Sequence, residues 1–328
     1  MDRITLPRNA SYVKESDFPY VITSIAFGIL SVLTNLIVLV AFYVKKGKQT
    51  TIRSYVISMA IADVLYGAVS VPLAILSSVG LPYRQREWCL LSTGFQIMTV
   101  GFTIMALLST VEMQFIGVMF PIFFQMKWTS QVVRCHIASH WIMGFLFGSP
   151  IILGNNLDDD TCYFLEIVPK NVTLLVTFGM VVPAASVMIL CYVAIYIRFI
   201  KAMTHRFTTL GVVPDKKPSS NMKSFHVKTS AVIFLNVLLF LVCWLPLYIL
   251  DTINVFDETF TANVHIINAL LVLRCVRCAT NPLLYAYHIP EVKTSIYDIH
   301  RWLLLRCNIG DAIKRDRSIS QQTIVTKL

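Results

Sequence analysis

Long apolar runs constrain this chain more than any other feature. Seven stretches, at about 20–44, 54–79, 88–120, 137–154, 172–197, 229–250 and 263–287, each supply the roughly 20 mostly apolar residues needed to cross a hydrocarbon layer. They are far longer than the roughly 10-residue alternating segments of a membrane barrel. Helices are therefore expected, since a helix satisfies every backbone N–H and C=O within its own segment. The fold class that follows is an all-α membrane protein, a seven-transmembrane helix bundle. With 56% hydrophobic and 14% charged residues and a mean hydropathy of +0.67, a soluble domain of 328 residues is excluded.

Charge orients the bundle. Of 28 Lys and Arg, twenty lie in the segments 45–53, 121–136, 198–228 and 288–328, six lie in the alternate segments, and Arg274 and Arg277 lie inside a span. The positive-inside rule then predicts an outer amino terminus and an inner carboxyl terminus, the orientation of a multi-pass plasma-membrane protein. Residues 1–18 are polar and lack an apolar core, so the first span is expected to act as its own insertion signal. The net charge of +10 is read as contact with the inner leaflet of the lipid bilayer and not with nucleic acid. The expected organisation is an outer segment 1–19, a helical unit 20–287, an amphipathic helix 288–306 and a disordered tail 307–328.

Of the eight cysteines, Cys89 and Cys162 fall at or beyond the outer boundary, where an oxidising exterior could bridge them; two free thiols are the alternative. Asn9 in "NAS" and Asn171 in "NVT" are glycosylation sequons on the same side. After the last span, Val292, Ile296, Ile299 and Leu303 share one helical face, which predicts a helix lying on the membrane surface. Cys307 closes it, either as a palmitoylation site or as a free cytosolic thiol.

Landmarks within the spans carry a more specific message. They are Asn35, "SMAIADV" with Asp63, Cys89, Trp141, Pro183, "CWLP" from Cys243 to Pro246, and "NPLLY" from Asn281 to Tyr285. In this order they resemble the rhodopsin-like, class A G-protein-coupled receptors over nearly the whole chain. Within that family, "SMAIADVLYGAVSVPLAIL", "CWLPLYI" and "NPLLYAYHIPEVKTSI" are similar to adenosine receptors. The resemblance implies a small extracellular ligand, a heterotrimeric G protein as partner, and no cofactor or metal. It also implies that Asp63 and Asn281 line an internal polar pocket that in relatives often holds sodium. Pro183, Pro246 and Pro282 each remove a backbone hydrogen bond inside a span and are plausible hinges.

The chain also departs from that pattern. Phe164 matches the aromatic that stacks on the ligand's base in adenosine receptors, or else it packs the loop onto the bundle. The acid that follows it there arrives one residue late, at Glu166. Asp251 stands seven residues beyond Trp244 where relatives carry an Asn, and Arg274-Cys275 stand where they carry Ser-His. Gln96 replaces the Asp of amine receptors. Together with Trp244 and Tyr248, these residues form the expected ligand site, and its ligand is expected to be nucleoside-like or anionic. On the G-protein face, the family's Asp-Arg-Tyr triplet reads Met113-Gln114-Phe115. Its charged lock is missing, so altered coupling is expected: high basal activity, or little turnover of G protein. Glu112, one residue earlier, is expected to snorkel to the inner surface or to be solvated there, without a functional part.

Arg274, Arg277 and Asn281 share one helical face, and a guanidinium at mid-membrane requires an acceptor. Asp63 is the expected partner of Arg277, forming an ion bridge where relatives hold sodium. For Arg274 two partners stay open, Asp251 or an anionic ligand held bidentately. No clustered nucleophile and base suggests an enzyme, no inverted repeat suggests a transporter, and no Lys in the seventh span could carry retinal. A signalling receptor is the leading expectation. The alternative is a non-signalling decoy, or a homo- or hetero-dimerisation partner of related receptors.

Overall fold

The computed structural model describes residues 18–44, 50–79, 86–149, 168–209, 220–257, 260, 263–288, 293–294, 297–298 and 301. The regular structure of the described residues is all helical, with seven long helices. They are α1 (Phe18–Val44), α2 (Thr51–Leu65, a π-helical turn Tyr66–Ser70, then Val71–Val79), α3 (Arg86–Met119) and α4 (Ser130–Gly148). Then follow α5 (Lys170–Val176, a π-helical turn Thr177–Val181, then Val182–Thr209), α6 (Ser220–Phe256) and α7 (Val264–His288). A short helix, Pro121–Lys127, joins α3 to α4. The described residues beyond α7, Lys293, Thr294, Tyr297, Asp298 and Arg301, are helical and exposed.

Local sequence explains the punctuation. Thr50 and Thr129 cap α2 and α4, their hydroxyls accepting from the amides of Arg53 and Val132. Each π-turn sits just before a proline. The Val71 amide reaches back five residues to the Tyr66 carbonyl ahead of Pro72, and the Val182 amide reaches the Thr177 carbonyl ahead of Pro183. A proline cannot donate to the carbonyl one turn back, and its ring crowds that carbonyl; the wider turn relieves both problems. Pro246 and Pro282 lie inside unbroken helices.

The helices are built inside out relative to those of a soluble bundle. In α1, Ser24, Ser31 and Asn35 are buried while Ile22, Ile25, Ile29, Leu33 and Ile37 are exposed, which suits a lipid-facing surface around a polar interior. Stretches within α1, α2, α3, α5 and α6 are both long and apolar enough to cross a membrane. The other two are more polar: α4 carries Arg134, His136, Ser139 and His140, and α7 carries Arg274 and Arg277. α4 begins at Ser130, seven residues before the expected span at 137, because these polar residues mask its first turns.

α3 is the most enclosed helix of the bundle and packs most extensively on α4; α1 lies along α7, and α7 along α6. Small residues permit the closest approach. A Cβ built on Gly101 would lie 2.7 Å from the Gly144 carbonyl oxygen, and one on Gly148 would lie 2.6 Å from the Met98 Cα. Trp244, Phe240, Ile104, Leu107, Met180 and Met188 fill the centre.

Candidate functional site

The chemistry of the bundle interior starts from α7. Positions 274, 277 and 281 recur at helical spacing, so one face carries two guanidinium groups and an amide. Arg277 and Asp63 are both 0% exposed, and Arg277 Nη1 lies 3.1 Å from Asp63 Oδ1. Asn281 Nδ2 donates to the other carboxylate oxygen at 2.5 Å and approaches Met59 Sδ at 3.6 Å. Around this pair, Ser31 Oγ donates to the Asp63 carbonyl at 3.2 Å, and Asn35 Nδ2 donates to the Ser31 and Cys278 carbonyls at 2.8 and 3.1 Å. α1, α2 and α7 are thereby tied around one buried ion pair. The Asp63 charge is neutralised from within the chain, and both its oxygens are engaged.

One turn away, Arg274 takes a different environment. Its Cζ sits 5.2 Å from the centroid of the Trp244 ring, a cation–π arrangement, and its Nε is buried without a hydrogen-bond partner. Tyr66, Tyr248 and Asp251 surround it electrostatically, yet among the described residues it makes no ion pair. The open expectation of an Arg274–Asp251 contact therefore resolves into a longer-range interaction. The reason is axial: Asp251 lies seven residues past Trp244, about 10 Å further along α6, whereas Arg274 packs at the level of the indole. Tyr66, tilted, and Phe240, stacked, also pack on Trp244, at 5.7 and 6.2 Å between ring centroids. Gln96, on α3, approaches Ser92 Oγ at 3.4 Å.

Near the end of α3, the triplet expected to meet the G protein is mostly inside. Met113 is buried beside Tyr55 and Val133, Gln114 is buried and accepts from the Tyr192 hydroxyl at 3.4 Å, and Phe115 packs edge-on to Phe120. Glu112 does not snorkel. Its Oε2 is 3.0 Å from Nε2 of both His136 and His140 on α4, because the register of α3 on α4 turns the carboxylate toward the neighbouring helix and away from the membrane surface. His136 and His140 are functional candidates that sequence reasoning missed. Their four-residue spacing was the available signal, since it stacks two imidazoles on one helical face.

Several expected site residues lie outside the described residues: Phe164, Glu166, Cys162, Asn9 and Cys307, together with the side chain of Cys89. Asn171 is exposed in the first turn of α5, where its Oδ1 accepts from the Val172 amide at 3.1 Å. Trp141 stacks on Phe102 and donates from Nε1 to Ser58 Oγ at 2.9 Å, joining α4 to α2 and α3.

A multi-pass helical bundle with a buried acid on α2, a buried indole on α6 and a proline-bearing α7 defines the seven-helix receptor class of membrane protein. The chain belongs to the 7 transmembrane receptor (rhodopsin family), whose family model matches residues 34–285. Among curated proteins it is similar to adenosine receptor A2a of Equus caballus, at 25% identity over 88% of this chain and 73% of the relative. It is likewise similar to adenosine receptor A2a of Homo sapiens, at 25% over the same shares. Adenosine receptor A2b of Bos taurus is 25% identical over 90% of this chain and 94% of its own length.

Proposed function

We propose that the chain is a plasma-membrane receptor with an extracellular amino terminus, that it binds a small extracellular ligand bearing an anionic group, and that it signals through heterotrimeric G proteins with altered coupling. The observation that carries this reading is Arg274, a guanidinium held against Trp244 with a buried Nε that has no hydrogen-bond partner and no ion pair among the described residues. A planar carboxylate or phosphate accepts from such a group bidentately, and the surrounding indole and phenol rings suit a flat organic body. Tyr248, Asp251 and Gln96 complete the polar lining, with Phe164 and Glu166 as contributors from the outer loop. Ionised Asp251 only accepts, so it selects for a ligand donor where an Asn would tolerate both.

A screen of acidic metabolites and nucleotides against the wild-type chain and Arg274→Gln tests the proposal. Selective loss of the anionic hits in the variant is expected. Equal retention of anionic and neutral ligands would overturn the anchor.

A non-signalling role is the second reading, favoured by the uncharged Met113-Gln114-Phe115 triplet. Cyclic-AMP and G-protein dissociation measurements across the G-protein classes separate the two: elevated basal signal or a ligand response supports the receptor, and a flat result in every channel supports the decoy.

A further inference from the structure

Three side chains with metal-ligand chemistry converge in one partly enclosed cluster. His140 Nδ1 lies 2.9 Å from the His136 carbonyl oxygen, which can only accept, so that nitrogen carries the proton. In the neutral ring, Nε2 is then a bare lone pair, and it faces Glu112 Oε2 at 3.0 Å. His136 brings its Nε2 to 3.0 Å from the same carboxylate oxygen, with Nδ1 2.9 Å from the Tyr55 hydroxyl, which can either donate or accept. A carboxylate oxygen and two imidazole nitrogens that converge in this way are held together by a proton or by a metal cation shared among them.

We propose that Glu112, His136 and His140 form a binding site for a divalent transition metal of the zinc class. Their ligand atoms all lie within 4.8 Å of one another. Tetrahedral zinc, with bonds of about 2.0–2.2 Å to nitrogen and oxygen, needs ligands roughly 3.3–3.5 Å apart, so closure around the ion takes only small side-chain movement. Two imidazoles and one carboxylate are a donor set that zinc accepts with its fourth position left to water. The outer contacts also suit a metal: the backbone carbonyl on His140 Nδ1 fixes the tautomer that presents Nε2, and the phenol on His136 Nδ1 can accept a hydrogen bond from that nitrogen when Nε2 binds an ion.

The fold makes the site stiff. His136 and His140 stand one turn apart on α4, their rings 4.6 Å between centroids, and Tyr55 braces His136 from α2 at 5.7 Å. The close glycine packing of α3 on α4 sets the distance to Glu112. The cluster is only partly enclosed, with Glu112 27% and His136 18% exposed at the side chain, and a recess lined by Thr129, Val132, Cys135 and Ser139 gives an ion a way in. A metal bound there would clamp α3 to α4 one residue before Met113-Gln114-Phe115, at the face proposed to meet the G protein.

The test uses the purified full-length chain in detergent, metal-stripped by chelator. Zn2+ is titrated by calorimetry, and Co2+ by its visible ligand-field bands. Expected is one Zn2+ per chain with a tetrahedral Co2+ spectrum, both lost in Glu112→Gln and in His140→Ala. Cys135→Ser should leave both intact, and Tyr55→Phe should weaken binding about 10- to 100-fold. Thermal melts of each variant without metal separate a misfolded chain from a folded one that has lost the site, and the wild-type Co2+ spectrum stands without any variant. No saturable binding by the wild-type chain, or binding unchanged in folded Glu112→Gln, would mean that the cluster holds a proton alone and would overturn the assignment.

Discussion

Removing either half of the Arg277–Asp63 pair should destabilise the receptor far more than removing both. At 3.1 Å with an effective dielectric of about 20, the attraction between the two charges is about 5 kcal/mol, and both groups are 0% exposed. Against this stands a desolvation penalty of several kcal/mol for each ion, so the pair's net contribution to stability is small. Arg277→Met leaves the Asp63 carboxylate with Asn281 as donor, and Asp63→Leu leaves a buried guanidinium without its carboxylate. Each single change is expected to cost about 3–5 kcal/mol, while the double variant Asp63→Leu/Arg277→Met is expected to approach wild-type stability. The assay is a thermal melt of detergent-solubilised receptor together with surface labelling in cells. For the single variants, a fall in Tm on the order of 10 °C and loss of surface protein are expected, with recovery in the double variant. Simple additivity of the two single effects, or a wild-type melt for Arg277→Met, would refute the reasoning.

Three further outcomes follow from the same geometry. Replacing sodium by a large organic cation should leave wild-type melting and ligand binding unchanged, since Asp63 already has its counterion; a sodium-dependent shift in the wild type would contradict this. Gly101→Ala puts a methyl group 2.7 Å from a backbone oxygen of α4, and overpacking of this kind costs about 1–3 kcal/mol, read as a lowered Tm. Asn35→Leu removes the donor that ties α1 to the Cys278 carbonyl, and a loss of about 1–3 kcal/mol is expected from the buried acceptor left behind.

The all-helical membrane class and the Asp63–Arg277 contact were legible because each rests on local pattern or on a single strong constraint. Apolar length locates a membrane helix, and a guanidinium on the same face as Asn281 has few anions to choose from. The Glu112 cluster was not legible. α4 is capped at Thr129, well before its apolar run begins at 137, so apolar length alone places His136 before the span and His140 at its edge. Only the register of α3 on α4, fixed by Gly101 meeting Gly144, brings them to Glu112, and a tertiary distance of that kind leaves no periodic trace in one sequence. The surroundings of Arg274 show the same limit. Its placement on α7 followed from spacing, whereas its stacking over Trp244, and not beside Asp251, depends on the relative height of two helices.

The π-turns before Pro72 and Pro183 give each of those spans one residue more than an α-helix of equal rise would hold. That surplus rotates everything on one side of the turn by about a quarter of a revolution against everything on the other. The two halves of α2, and likewise of α5, can therefore aim their side chains at different neighbours without a break in the backbone. Evolution can thus re-aim one end of either helix by gaining or losing a single codon, while the opposite end keeps its partners.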